Sequence, residues 1–309
     1  MFTKKQKTVY KVKYDPKEST MAFLFVLPAL AVYGLYNAFC VFMTFFYSFH
    51  KWSGISPKMD FIGIHNFITA FNDQGLMLAL RNNIILVVVS LSVQIPLGML
   101  LALLLASLKK GSKFFRTVYF MPMLLSTVAT GLLWTYLYDP YFGLINAVLN
   151  AVGLSRWATA WLGQTSTALG AVFVVICWQY TPQYMILLRA GMTGIPDDIY
   201  EAAALDGAVG ITRFFKITLP LLSGTIKTCA TLSLVGSLKY FDLIYVMTKG
   251  GPGNATDVMA TYMYKRGFVE FNMGYGSALA IFMLMVSLVL TTIFRTVTRH
   301  DYTGMEAAK

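Results

Sequence analysis

Residues 197–210 read DDIYEAAALDGAVG. Four acids, Asp197, Asp198, Glu201 and Asp206, surround an alanine-rich core, between two long apolar runs of a chain with only 13% charged residues. The stretch carries helix signals at both ends. Pro196 suits a first-turn position. Asp197 and Asp198 favour the positive end of a helix dipole, and Asp198 and Glu201 have the spacing of a capping box. Ala202, Ala203, Ala204 and Leu205 are strong helix formers. Gly207 can supply a left-handed stop. A short acidic helix is therefore predicted, and its purpose depends on what surrounds it.

The surroundings are built for lipid. Hydrophobic residues make up 57% of the 309, whereas soluble domains carry about 25% charged residues. Six runs reach the roughly 20 apolar residues that a crossing helix needs: Met21–Tyr47, Ile84–Ala106, Thr117–Tyr138, Ala168–Leu188, Leu222–Val246 and Tyr275–Phe294. Only the fifth contains charges. None alternates apolar with polar as barrel strands do, and backbone amides in lipid must be bonded internally, so helices are expected. The first twenty residues, MFTKKQKTVYKVKYDPKEST, are basic and polar, and a longer apolar run follows without a small-x-small cleavage site. They are read as a tail, not a cleaved signal peptide.

An even number of spans puts both termini on one side. Seventeen of the 25 Lys and Arg then fall on that side, seven on the other, and Lys239 lies inside the fifth span. The positive-inside rule makes the richer side the cytoplasm. Trp52, Trp157 and Trp161 then sit at the outer interface, and Trp134, Tyr136 and Tyr138 at the outer end of span three read as an aromatic belt. The net charge of +11 thus reflects membrane orientation, and no nucleic-acid partner is expected. Cys40, Cys177 and Cys229 lie in or beside apolar runs, an odd count that argues for free structural thiols. His50, His65 and His300 are far apart and no CxxC or HExxH occurs, so no metal site is expected.

The acidic stretch now has an address, the loop from about Arg189 to Leu221 between spans four and five on the cytoplasmic side. One reading is a helix resting on the membrane surface. Anionic head groups would repel its four acids, and interfacial helices usually carry Lys or Arg on the polar face. The small Ala and Gly surface suits docking into a groove of a basic protein partner.

The segment EAAALDGAVGITRFFKITLPLL, residues 201–222, closely resembles the EAA loop of permease subunits in binding-protein-dependent ABC importers. Glu201, Ala202, Ala203, Gly207, Ile217, Leu219 and Pro220 fill the pattern, and Asp206 lies within it. LLRAGMTGIPDDIYEAA, RTVYFMP, GLINAVLN and FDLIYVMTKGGPG are similar to the carbohydrate branch, of maltose and multiple-sugar type. Gly224 departs from the pattern, where a second proline is common. The resemblance covers nearly the whole chain. It implies an all-α membrane protein with six transmembrane helices, the type I importer permease fold and a cytoplasmic coupling helix. It implies a tail at 1–20, a permease domain at 21–298, a second tail at 299–309, and a bacterial inner-membrane location. Implied partners are a second homologous permease that forms a heterodimer with this chain, two ATP-binding cassette subunits and an extracytoplasmic solute-binding protein. No GxxxxGK[ST] sequence occurs, so ATP and Mg2+ are expected in the separate ATPase, and this chain is not expected to be an enzyme.

Polar residues inside spans tend to face cavities or other helices. In span four, Gln179, Tyr180 and Gln183 are expected to share a face with Ile176, offering the uncharged donors and acceptors that sugar hydroxyls need. In span five, Ser233, Gly236, Ser237 and Tyr240 trace a similar face, and Lys239 and Asp242 are close enough in sequence to pair. Gln and Ser also glue membrane helices together, so both readings stand at this level. The TKGGPGN turn is expected to face the binding protein. Asn254-Ala255-Thr256 matches a glycosylation sequon, a pattern that occurs often by chance. A polyol or glycerol phosphate importer is the alternative within the class. An ion-coupled carrier would need ionisable relays within spans, and only Asp242 beside Lys239 is offered. A membrane enzyme would need a catalytic constellation, and none is found.

Overall fold

The structure is a computed structural model, and it describes residues 16–108 and 110–299. Lys4, Lys5, Lys7, Lys11, Lys13, Lys109, His300 and Lys309 of the charge and motif reading lie outside the described residues.

The apolar runs form helices. Among the described residues, four segments are long and apolar enough to cross a membrane alone: Phe23–Ser48, Gln74–Ser107, Ala168–Thr193 and Met273–Thr298. The first is α1 (Pro16–Tyr33) and α2 (Phe39–Ser48), joined through a π-helical turn. A two-residue antiparallel pair, His50–Lys51 with Asp60–Phe61, and α3 (His65–Asn72) follow. The second segment is α4 (Gln74–Val89), a π-helical turn at Ser90–Gln94, and α5 (Ile95–Ser107). It begins well before the expected Ile84.

The third expected span is not straight. α6 (Ser112–Leu124) and α7 (Thr127–Leu137) meet at 94°, because Leu125 and Ser126 adopt extended backbone, with ψ of 141° and 135°. After α8 (Leu144–Ala151) comes α9 (Ala168–Thr193), the fourth expected span. The loop beyond it holds α10 (Asp197–Leu205), α11 (Gly210–Arg213) and α12 (Leu219–Leu221). α13 (Ser223–Leu238) leaves that loop at 68° to the segment Gly210–Leu221. Pro220 has no amide hydrogen to continue the ladder at this bend, and the helix of α13 runs on through Gly224. The fifth expected span, Leu222–Val246, is also interrupted. The helix stops at Leu238, Lys239–Phe241 are non-helical, and α14 (Asp242–Thr248) begins anew. α15 (Met259–Tyr264) and α16 (Met273–Arg299) complete the described fold.

α9 is the axis of the packing. Against it α5 comes so close that a Cβ on Gly98 would lie 2.9 Å from Tyr184 Cβ and 3.0 Å from the Met185 amide nitrogen. Met99, Ala102, Met185, Leu188 and Cys229 form the core at that end, and Val172, Val175, Ile176, Leu243 and Ile244 at the other. Where helices break, buried amides replace the lost backbone partners. Asn83 Nδ2 donates to the Ser237 carbonyl at 2.8 Å, and its Oδ1 accepts from the Met259 amide at 2.7 Å. Asn82 Nδ2 donates to the carbonyls of Ala255 and Asp257. Satisfying backbone groups in this way is what permits broken helices at membrane depth.

Tyr138 departs from the sequence reading. Tyr138 is buried and donates to the Ala171 carbonyl at 3.2 Å, so it is a core residue and not part of a belt. Tyr136 alone of that trio is largely exposed. Thr256 and Asp257, just beyond the TKGGPGN turn, are buried, and Asn254 Oδ1 of the turn accepts from Lys265 Nζ at 2.8 Å. Thr248 and Asn254 of the turn are thus held by side-chain hydrogen bonds to Thr256 and Lys265.

Candidate functional site

Two regions stand out by their chemistry. The first is a chamber of about 400 Å³ among α9, α13, the Lys239–Phe241 break and the π-helical turn Ser90–Gln94. From α9 come Ile176, Tyr180, Gln183 and Tyr184, one face at helical spacing. From α13 come Ser233, Gly236 and Ser237, and beyond it Lys239, Tyr240 and Asp242. Ser90 and Gln94 complete the wall. The extra residue in a π-helical turn shifts the helix face, and such turns often mark functional sites.

The wall is polar but uncommitted. Gln94 Nε2 donates to the Ile176 carbonyl at 3.2 Å, and Ser237 Oγ donates to Ser90 Oγ at 3.1 Å. Ser233 Oγ and the Tyr240 hydroxyl are buried with no hydrogen-bond partner among the described residues. Tyr180 and Tyr240 meet edge to face, with ring centroids 5.8 Å apart at 85°. A Cβ at Gly236 would meet nothing within 4 Å, so the glycine opens the wall. Buried hydroxyls without partners are costly unless something else bonds them, and a hydroxyl-bearing solute would.

Several sequence expectations change here. Gln179 does not join Tyr180 and Gln183. It is 2% exposed and donates to the Leu125 carbonyl at 3.3 Å and Thr130 Oγ1 at 3.5 Å. Leu125 is where span three breaks, so Gln179 bonds a carbonyl that has lost its helix partner. Lys239 and Asp242 form no ion pair, since the pairs among the described residues are Lys58–Asp60 and Arg266–Glu270. Both are exposed along the chamber. Ser90 and Gln94 were not singled out in the sequence, because a π-helical turn leaves no composition signal.

The second region is the acidic helix, α10. Pro196 is its N-cap and not a first-turn residue, and no side chain caps the helix, so the capping box from Asp198 to Glu201 does not form. Asp197 and Asp198 do lie in the first turn. Gly207 has φ of 76°. The Ala208 amide donates to the Ala203 carbonyl at 2.8 Å and the Gly207 amide to the Ala204 carbonyl at 3.1 Å, the Schellman pattern that a left-handed glycine closes. Ala203 is buried, whereas Glu201, Ala202 and Asp206 are exposed. Leu219 packs against the core at the base of α9, and Pro220 is exposed at the bend. Sequence reading missed the apolar part of this face. Leu205 is 90% exposed and Ile211 78%, with Val209 and Phe215 also exposed beside them. Clustered exposed apolar side chains mark interaction surfaces.

On the other end of the fold, Asp73 ties three helices together. Its Oδ1 caps α4 by accepting from the Gly75 amide at 2.9 Å, and its Oδ2 accepts from the hydroxyls of Tyr262 at 2.7 Å and Tyr275 at 2.6 Å. Burial pushes the carboxyl pKa up, but the bonds from Tyr275, Tyr262 and the Gly75 and Leu76 amides outweigh it and hold it below the ordinary value. Asp73 borders an open polar basin of about 770 Å³, shared with Lys51, Lys58, His65, Arg266 and Glu270.

Comparison with known proteins gives these surfaces a context. Residues 94–300 match the family described as "Binding-protein-dependent transport system inner membrane component". The chain is 39% identical over 271 residues to the probable ABC transporter permease protein YurN of Bacillus subtilis, covering 87% of this chain and 92% of that one. It is 32% identical over 292 residues to the trehalose/maltose transport system permease protein MalF of Thermococcus litoralis, covering 94% and 96%. It is 34% identical over 268 residues to the xylose/arabinose import permease protein XacH of Haloferax volcanii, covering 85% and 82%. In fold, it is similar to a chain in the crystal structure of a bacterial ABC transporter that imports the acidic polysaccharide alginate. The TM-score is 0.81, with 24% identity, 92% of this chain covered and 96% of that one.

Proposed function

The chain belongs to the binding-protein-dependent transport system inner membrane components, and from that premise we propose that it is the permease subunit of an ATP-driven importer of a sugar or oligosaccharide. The observation that carries the cargo class is the chamber wall. Tyr180, Gln183, Ser233, Ser237 and Tyr240 present neutral donors, acceptors and rings, with two hydroxyls left unbonded by the described residues. Lys239 and Asp242 contribute opposite charges, so the chamber has no net sign that would select an anion such as glycerol phosphate. The named cargoes of MalF and XacH, trehalose or maltose and xylose or arabinose, support the carbohydrate class.

This chain supplies one wall of a path, and a second homologous permease, expected to differ in sequence, supplies the other. Both termini face the cytoplasm, as the distribution of Lys and Arg indicates. α10 then lies on the cytoplasmic side and docks in two ATP-binding cassette subunits' shared assembly, one α10 to one subunit. Glu201 and Asp206 meet basic groups there, and Leu205 and Ile211 meet apolar ones. ATP and Mg2+ belong to those subunits. The polar basin around Lys51, Lys58 and Arg266 faces outward, where a solute-binding protein delivers the cargo.

The test is uptake of labelled mono- and disaccharides by cells that produce the chain with its partners, with and without the ATPase. Uptake should vanish when the ATPase is absent. Transport that persists without it would sink the importer reading, and uptake of a phosphate ester in preference to every neutral sugar would sink the cargo class.

A further inference from the structure

We propose that the groove between α5, α6 and α9 holds an anionic phospholipid, with its acyl chain on an apolar wall and its phosphate at Arg116 and Arg189. The choice of leaflet rests on the reading that this end of α9 is cytoplasmic.

The groove has two levels on the same three helices. The apolar level is about 680 Å³, walled by Leu97 and Leu101 of α5, Val118 and Pro122 of α6, and Val174 and Trp178 of α9. The second level is about 340 Å³ and continues along each helix, through Leu105, Arg116, and Met185 to Arg189. No Asp or Glu lines either level. Neither arginine has a carboxylate partner, since the ion pairs among the described residues lie elsewhere. From Arg189 to Trp178, α9 rises about 16 Å at 1.5 Å per residue, close to half of a hydrocarbon core about 30 Å thick. The groove therefore runs from head-group depth to mid-membrane, as one acyl chain does.

A helix of the partner permease is the competing occupant, and the charge pattern disfavours it. An apolar helix such as this chain's own Phe23–Ser48 has no acid, and would cover two arginines without satisfying them. A phosphate accepts from both guanidinium groups, which bind phosphate through paired donors. Basic pockets between membrane helices on the cytoplasmic side are suited to anionic lipid head groups.

The test uses the assembled transporter, purified in detergent and supplied with equal phosphatidylglycerol and phosphatidylethanolamine, with retained lipid read by native mass spectrometry. Phosphatidylglycerol should be retained preferentially. Each of Arg116→Gln and Arg189→Gln should lower its retention about five-fold, following roughly 1 kcal/mol per basic residue near lipid phosphate. Arg156→Gln, in the outer loop, should not. Equal retention of the two lipids, or full retention in the Arg116→Gln/Arg189→Gln variant, overturns the proposal. A photoreactive residue at Val174, in otherwise unaltered protein, should crosslink to lipid. A crosslink to a polypeptide would assign the groove to the partner permease and overturn the proposal even if the arginine variants fail to assemble. Retention does not depend on which leaflet supplies the lipid, so a wrong orientation would appear only in a separate thiol-labelling scan.

Discussion

Span one and span four are both apolar helices of 26 residues, with mean hydropathy 1.8 and 1.4, yet the most apolar window of the first is 0% buried by the chain and that of the fourth is 61% buried. Hydropathy ranks them the wrong way round for centrality. Span four is buried because it carries small and polar residues that other helices can approach or bond. Ala171 and Val172 pack at one end, Gln179 bonds the broken helix of span three, and Gly98 lets α5 reach the backbone of Tyr184 and Met185. Span one offers Phe25, Tyr36, Phe42 and similar side chains outward, all exposed. In a bilayer apolar surface gives no driving force for helix association, so packing detail decides which helix is inside.

The sharpest way to break this contrast is a single methyl group in each environment. Gly98→Ala places a Cβ within 3.0 Å of span four's backbone region, and backbone cannot swing aside as a side-chain tip can. Overpacking of this kind costs about 1–3 kcal/mol, so the detergent-purified chain should lose thermal stability and yield. At Gly34 in span one, a Cβ meets nothing within 4 Å. Gly34→Ala should leave the isolated chain's melting point unchanged. Equal melting points for the two variants would remove the distinction between core and rim.

A second test concerns what lies beyond span four. α10 follows its C-terminal end and shows acids and exposed apolar groups, whereas the sequence before span one is basic. Under the proposed coupling, Glu201→Lys places a like charge against a basic partner. ATPase association and binding-protein-stimulated hydrolysis should fall to near background, while the chain's own stability holds, because Glu201 is exposed. Full stimulation in this variant would mean that α10 is not the docking element.

How far the sequence could be read follows the same division. The six apolar regions, the acidic helix and the left-handed Gly207 were legible, because length, composition and glycine chemistry are local properties. The breaks at Leu125–Ser126 and Lys239–Phe241 were not. Neither carries a Pro or Gly that would mark it, and what stabilises them is distant: Gln179 bonds Leu125, and Asn83 bonds Ser237 across the fold. In the chamber, the span-four and span-five residues were found from helical spacing, but Gln179 was misassigned because the Leu125 carbonyl and Thr130 that engage it lie at a break the sequence does not mark. Ser90 and Gln94 were missed because the π-helical turn that aims them has no sequence mark.

Gln179 and Gln183 provide a smaller, more discriminating effect within span four. Gln183→Ala should reduce sugar uptake several-fold, as expected for a hydrogen bond of about 0.5–1.5 kcal/mol to a neutral ligand, with stability retained. Gln179→Ala should do the reverse, lowering stability by leaving the Leu125 carbonyl unpartnered and changing cargo preference little. If both variants act on uptake alone, Gln179 belongs to the chamber after all.

The least invasive test changes no residue. Cys40 lies on span one and is exposed, Cys177 is half-buried on span four, and Cys229 is buried by α5 and α9. A small membrane-permeant maleimide, applied to the purified chain and followed by peptide mass spectrometry, should modify Cys40 first, Cys177 more slowly and Cys229 only on unfolding. The reagent needs thiolate and access, and the intact core denies Cys229 the second. Repeating the reaction on the assembled transporter sharpens the comparison. If span one is left bare by its own chain because another subunit covers it, Cys40 should become protected on assembly while Cys229 stays unchanged. Continued fast labelling of Cys40 in the complex would instead make span one a lipid-facing helix throughout, and its lack of burial would be its final state.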